Sequence, residues 1–164
     1  AKIFTTTSGM ALDIFSIQDS RGKAFVETLS LARLKAHIER TLTGEINVSE
    51  ELGKTPLFSL RTSVFTVRPR VLINNSASLT NSLVEINARD RAGLLHQVTR
   101  TLTQIGLQIS SALITTYGER AVDVFYVKDT FGMQVTHERK LEQIREAVLG
   151  VISDTEGADD EIVS

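Results

Sequence analysis

The sequence predicts an α+β protein made of two copies of one small unit, with antiparallel sheets and with the first copy truncated at its N-terminus. Residues 1–24 align without gaps with residues 111–134 at a fixed offset of 110, with seven identities among the 24 positions. Apolar residues alternate in some segments, as in strands, and recur every three or four positions in others, as in helices. A repeat distance this long indicates a duplicated domain rather than a solenoid.

The second copy has the fuller set of predicted elements. Residues 82–88 alternate as a half-buried strand, and the apolar positions from Leu95 to Ile105 are spaced 3, 4 and 3 apart, as on one helix face. Two strands over 107–117 and 121–129 and a second helix follow. The order β-α-β-β-α is one strand short of a ferredoxin-like β-α-β-β-α-β unit.

The first copy begins at the equivalent of the second strand. A hairpin over 3–7 and 11–18 leads into a helix over about 25–42. A first strand and a first helix are absent from this chain. We expect residues 57–67 and 70–74 to complete the sheet of this copy and to lead into the next domain.

Three segments follow from this organisation: a partial first domain (1–75), a second domain (79–153) and an acidic tail (154–164). Five carboxylates among the eleven tail residues predict a solvated, disordered end. The net charge of −2 offers no basic surface for nucleic acid or an anionic membrane, and no cysteine is present for a disulfide or a thiolate metal site. No apolar run is long enough to cross a bilayer, so we expect a cytoplasmic location.

The predicted sheet needs partners beyond its own helices. The strand around 121–127 is apolar on both faces, whereas helices cover only one face of such a sheet. The truncated first copy also leaves a strand edge unpaired unless another element fills the gap. We therefore expect a homo-oligomer formed through sheet edges. Because the chain starts without Met, we also expect it to be a piece of a longer protein.

The loop that joins the first strand of the second copy to its helix has the features of an amino-acid site. Asp90 is expected to cap a helix that starts near Gly93. Backbone N–H groups at a helix N-terminus also attract a carboxylate, and Gly93 leaves them accessible. Asp90 or Asn87 can then accept from an α-ammonium group. The alternative interpretation is a capped helix with a tight turn and no ligand.

Three sequence stretches resemble the ACT-domain family of amino-acid-sensing modules: "RDRAGLL", "GLQISSALITTYGERAVDVFYV" and, upstream, "IFTTTSGMALDIFSIQD". They most resemble the ACT domains of bifunctional uridylyltransferase/uridylyl-removing enzymes, which modify the PII signal protein in bacterial nitrogen regulation. The resemblance covers nearly the whole chain. One departure is Ala92, which stands where the family usually has proline and leaves the loop less restricted in φ.

The resemblance implies an allosteric region that senses glutamine. The nucleotidyltransferase and hydrolase domains of such enzymes lie N-terminal to it, outside this chain, and Mg²⁺ is expected there. In this fragment the resemblance implies no catalytic residue, metal or cofactor. The ligand is expected between the strand–helix loop of one domain and the second strand of its neighbour. The candidate ligand-binding residues are Asn87, Asp90, Arg91, Gly93, Leu94, Leu95, Ser110 and Ser111. The two serines alternatively occupy a sheet edge or a solvent-exposed face.

Other functions are weighed against sensing. An enzyme in its own right is disfavoured, because the P-loop, dinucleotide-binding, HExxH and GxSxG motifs are absent. Asp13 and Asp123 recur at equivalent positions, where a structural pair, for example with Arg120, is favoured over catalysis. An RNA-binding sheet needs exposed aromatics on one face, whereas Phe125 and Tyr126 are consecutive and point to opposite faces. An interaction or dimerisation module without a ligand stays open.

Overall fold

The computed structural model describes residues 2–6, 8–17, 23–24, 28–54 and 67–153. They fall into two compact units. One unit holds the described residues up to Ile14 together with those from 67 onward, and the other holds the described residues from Phe15 to Lys54. The predicted acidic tail, 154–164, lies outside the described residues.

The larger unit is an α+β structure built on a six-stranded antiparallel sheet. Its strands are β1 (Lys2–Thr5), β2 (Ala11–Ile14), β3 (Arg70–Asn74), β4 (Ser82–Arg89), β5 (Gln108–Tyr117) and β6 (Arg120–Lys128). The strand order is β2-β1-β5-β6-β4-β3. One helix, Leu94–Gln104, connects β4 to β5, and a second helix, Glu138–Ser153, follows β6. The predicted fold class is confirmed.

The smaller unit contains two helices, α1 (Thr28–Leu42) and α2 (Val48–Lys54), so the helices of the larger unit are α3 and α4. The start of α1 at Thr28 lies 110 residues before the start of α4 at Glu138. The repeat seen in the sequence therefore extends into the helices. The helix expected over about 25–42 is present as α1, but no residue of α1 is buried.

The strand β3 corrects one expectation. Residues 57–67 and 70–74 were expected to complete the sheet of the first copy. Residues 57–66 lie outside the described residues, and β3 pairs with β4 of the second copy, with Arg70 opposite Asn87 and Asn74 opposite Leu83. In a ferredoxin-like unit the fourth strand lies beside the first. Here β3 fills that position from the upstream side, and Val71 is buried in the core.

The two copies meet through equivalent strands. Lys2 pairs with Leu113 and Ile3 pairs with Ala112. The repeat offset of 110 makes Lys2 equivalent to Ala112 and Ile3 equivalent to Leu113, so exchanging the copies reproduces this pairing. A local two-fold axis therefore lies between β1 and β5. Among the described strands β2 is left at the edge of the sheet, as the truncated first copy predicted.

The hydrophobic core lies on one face of the sheet, under α3 and α4. The strands contribute residues of one alternation phase, such as Val84, Ile86 and Phe125, which are at most 1% exposed. Val98 and Leu102 of α3 and Val148 of α4 meet them from the helices. The opposite face of the sheet therefore carries the other alternation phase.

Two loops at one end of the sheet are held together by polar side chains. The amide nitrogen Nε2 of Gln134 donates to the backbone carbonyls of Asn75 (2.8 Å) and Asn81 (2.9 Å). The Ser82 hydroxyl, which is fully buried, accepts from the Val135 N–H at 3.0 Å. These bonds satisfy backbone groups that would otherwise be buried without partners.

Candidate functional site

The candidate loop lies at the opposite end of the sheet, between β4 and α3. The Asp90 N–H donates to the Glu119 carbonyl at 2.7 Å, which ties the loop to the tip of the β5–β6 hairpin. Gly93 immediately precedes α3 and has a left-handed backbone with φ of 81°. An L-residue with a side chain rarely adopts this conformation. The glycine therefore lets the chain turn sharply into the helix.

The start of α3 corrects the predicted cap. Gly93, not Asp90, occupies the N-cap position, and no side chain accepts a hydrogen bond there. The Asp90 side chain is exposed. The Leu94 N–H donates to the Arg91 carbonyl at 3.2 Å. A helix start without a side-chain cap is a kind of place where backbone N–H groups bind water or a carboxylate.

Arg91 links the loop to the end of α4. Its Nη2 atom donates to the Val151 carbonyl at 3.1 Å and to the Gln97 side chain at 2.5 Å. A guanidinium at the last turn of α4 is favourably placed against the helix dipole. The structure therefore gives Arg91 a role in fixing the loop against the two helices.

Asn87 lies on the other face of β4. Its neighbours Ile86 and Ala88 are at most 1% exposed beneath the helices, so strand alternation directs Asn87 away from α3. Its Oδ1 atom accepts from Arg120 at 2.5 and 3.2 Å, and its Nδ2 atom donates to Glu85 at 2.9 Å. The structure thus separates the Asn87 amide from the backbone of Gly93.

The two leucines after Gly93 serve the core. Leu94 is 3% exposed, and Leu95 is partly buried and packs against the same cluster. Burying one leucine side chain stabilises a fold by about 2 kcal/mol. These residues fix the first turn of α3 to the sheet, and thereby the orientation of its N–H groups.

Ser110 and Ser111 lie far from this loop within the unit. Ser111 pairs with Tyr126 on β6 and with Phe4 on β1, so its strand is not an edge. The register shifts between Ile109 and Ser111, which leaves Ser110 as the extra residue of a bulge. Across the sheet, Ser111 is level with Leu83 on β4, and the candidate loop begins after Arg89 at the end of that strand. Arg89 is six positions after Leu83, so the serines lie about 20 Å from the loop.

Asp123 is a buried carboxylate on the helix-covered face. It is 3% exposed, and its Oδ1 atom accepts from the Thr115 N–H at 3.3 Å. Burial raises the pKa of this carboxyl to about 6; the Thr115 N–H opposes the shift and the negative charge of Asp90 adds to it. The expected pairing with Arg120 is wrong, because the hydrogen bonds of that guanidinium go to Asn87.

The described residues offer no alternative metal centre. No group of three or more His, Asp or Glu side chains among them is close enough to hold a metal ion. None of the helices described is long and apolar enough to span a membrane.

The chain is similar to known proteins. A model described as the ACR family N-terminal ACT domain matches residues 77–154. A bifunctional uridylyltransferase/uridylyl-removing enzyme from Azospirillum brasilense is 54% identical over 94% of this chain, which corresponds to 17% of that enzyme. Enzymes of the same name from Rhodospirillum rubrum and Gluconobacter oxydans are 48% and 44% identical over 94% and 93% of the chain.

The chain spans only 16–17% of the length of these three relatives. No solved structure matches it significantly. The matched range covers the second copy from β4 to α4. Residues 77–154 therefore belong to the ACT-domain family, and nearly the whole chain is similar to a part of bifunctional uridylyltransferase/uridylyl-removing enzymes.

Proposed function

We propose that this chain is the amino-acid-sensing region of a bifunctional uridylyltransferase/uridylyl-removing enzyme, and that its ligand is glutamine. The observation that carries the proposal is the start of α3, where Gly93 occupies a left-handed N-cap with no side-chain acceptor. Such a helix start presents backbone donors to a carboxylate. An ACT domain is a regulatory module, so the proposal assigns this loop to recognition and not to chemistry.

The neighbouring residues have complementary roles in this proposal. The exposed Asp90 carboxylate accepts from the α-ammonium group of the ligand, while the ligand carboxylate lies against the first turn of α3. Arg91 keeps the loop in place through the Val151 carbonyl. Ser110 and Ser111, at the far end of β5, belong to a second half-site, which a neighbouring domain completes with its own strand–helix loop.

Regulation then follows from linkage. Glutamine shifts the parent enzyme between two states by no more than its difference in affinity for them. In this proposal the parent adds uridylyl groups to the PII signal protein and removes them. Its catalytic domains, which Mg²⁺ serves, lie outside the chain.

A thermal-shift experiment with the twenty amino acids tests the proposal. We expect glutamine at tenfold excess over its Kd to stabilise the chain by about 1.4 kcal/mol, which raises the Tm by about 5 °C. Gly93→Val should abolish this shift, because the added side chain covers the backbone donors. If no amino acid raises the Tm, the sensing proposal is wrong.

The control must match the backbone strain of Gly93→Val. Gly132 has φ of 78°, has open space within 4 Å of the position that a Cβ atom would take, and lies at the other end of the sheet. At a left-handed position a valine costs about 1–2 kcal/mol. Both variants should therefore lose similar stability, while Gly132→Val keeps the glutamine response. An intact response in Gly93→Val would mean that the site lies elsewhere.

A further inference from the structure

The sheet face opposite α3 and α4 carries aligned rows of apolar and charged residues. One row runs across all six strands as Ile14, Lys2, Leu113, Val124, Glu85 and Leu72. The next row runs as Leu12, Phe4, Ser111, Tyr126, Leu83 and Asn74. We call these two rows the open face. Neither helix of this unit covers it, because both pack on the opposite side.

Several apolar side chains of the open face are exposed to solvent. Ile14 is 51% exposed, Leu113 is 45% exposed and Phe4 is 43% exposed. A contiguous exposed apolar surface is typical of a protein–protein contact. The sheet faces of two protein units pack about 10 Å apart with their strands nearly aligned. A second sheet is therefore the occupant that fits the shape of this surface.

The first row is complementary to itself about its midpoint. The midpoint lies between Leu113 on β5 and Val124 on β6. Lys2 is one strand beyond Leu113, and Glu85 is one strand beyond Val124. Consider two copies whose sheets face each other, related by a two-fold axis that runs parallel to the strands at this midpoint. Each residue of one copy then lies opposite the residue of the other copy that is equally far from the midpoint on the other side of the row.

We propose that the open face is the interface of a symmetric dimer, with a second copy of this chain packed sheet to sheet about that axis. Lys2 of each copy then faces Glu85 of the other copy, and Leu113 faces Val124. In the second row Phe4 faces Leu83. A contact of this kind is isologous, since the same patch is used twice.

The charge pattern favours a second copy over an unrelated partner. Within one chain Lys2 and Glu85 are three strand spacings apart, about 14 Å, which exceeds the screening length of about 8 Å at physiological salt. They are therefore not partners within one chain. In the dimer, Lys2 of each copy lies opposite Glu85 of the other copy, which gives two pairs of opposite charge. The apolar residues at the centre of the row face apolar side chains.

A charge-swap experiment tests this arrangement with the 164-residue chain. Light scattering should give twice the chain mass of 18.1 kDa. Lys2→Glu alone and Glu85→Lys alone should each weaken the dimer about a hundredfold, because each places like charges opposite one another at two symmetric positions. Mixing the two variants should restore the dimer, because every facing pair in the mixed dimer is again of opposite charge.

Restoration on mixing cannot come from refolding within one chain, so it separates the contact from a folding defect. A central substitution, Leu113→Gln, should also dissociate the dimer, whereas Leu79→Gln, at a 99% exposed position outside the open face, should not. A monomeric parent chain, or a mixture that stays monomeric, would overturn the proposal. Since glutamine binding is measured separately, a failed dimer leaves the sensing proposal standing.

Discussion

The buried carboxyl of Asp123 makes the stability of the larger unit depend on pH in a direction that is unusual for an aspartate. Its pKa is about 6 in the folded chain, against an ordinary value of 3.8. The folded state therefore binds the proton more tightly than the unfolded state, and stability falls as the pH rises through this window. A shift of about two pH units corresponds to about 3 kcal/mol.

Asp123→Asn should remove this dependence. The amide keeps an oxygen that accepts from Thr115 but carries no charge to desolvate. We expect the variant to match the parent near about pH 4 and to exceed it by about 3 kcal/mol near about pH 7, a gain of about 2 M in the urea midpoint. Tyrosine fluorescence suits the assay, because both tyrosines, Tyr117 and Tyr126, lie in the larger unit.

The control is Asp13→Asn at the equivalent position of the first copy. The residue Asp13 is exposed on β2, and its replacement leaves the buried carboxyl of Asp123 in place, so this variant should keep the pH dependence of the parent. Asp90→Asn should recover a smaller part of the stability, because it removes a like charge from the surroundings of Asp123. If the parent and Asp123→Asn have parallel stability curves between about pH 4 and pH 7, the assignment of a raised pKa is refuted.

Two further variants test the supports of the fold and of the loop. Ser82→Ala leaves the buried Val135 N–H without its acceptor and should lower the free energy of unfolding by about 1–3 kcal/mol, measured in urea. A loss below the error of the measurement would mean that water replaces the hydroxyl. Arg91→Ala removes the contact to the Val151 carbonyl and should cost about 1 kcal/mol while weakening the glutamine response. An unchanged response would show that Arg91 does not position the loop.

The sequence predicted the positions of helices and strands better than it predicted which strands pair with each other. The spacing from Leu95 to Ile105 located α3, and alternation located the strands, because both patterns are local. Residues 70–74 alternate like any strand, but alternation does not say which strand they join. That choice depends on burying Val71 beneath the helices of the second copy, which is a long-range packing effect.

The candidate loop shows the same limit on a smaller scale. Its place between a strand and a helix could be predicted, whereas the left-handed backbone that favours glycine at position 93 was not. The cap could not, because an aspartate three residues before Gly93 has the right chemistry but not the right backbone position. The bond between Asn87 and Arg120 joins residues 33 positions apart, and no local pattern reports it.

The position of β3 also determines which part of the sheet is loaded when the chain before Arg70 is pulled. This strand enters the sheet from the upstream chain, and its first residue, Arg70, sits opposite Asn87, three residues before Asp90. Tension on the segment before Arg70 is therefore transmitted by the five residues of β3 to the base of the candidate loop. Separation of β3 from β4 would release the segment before Arg70 from the base of the candidate loop, while β1, β5, β6 and β4 stay paired.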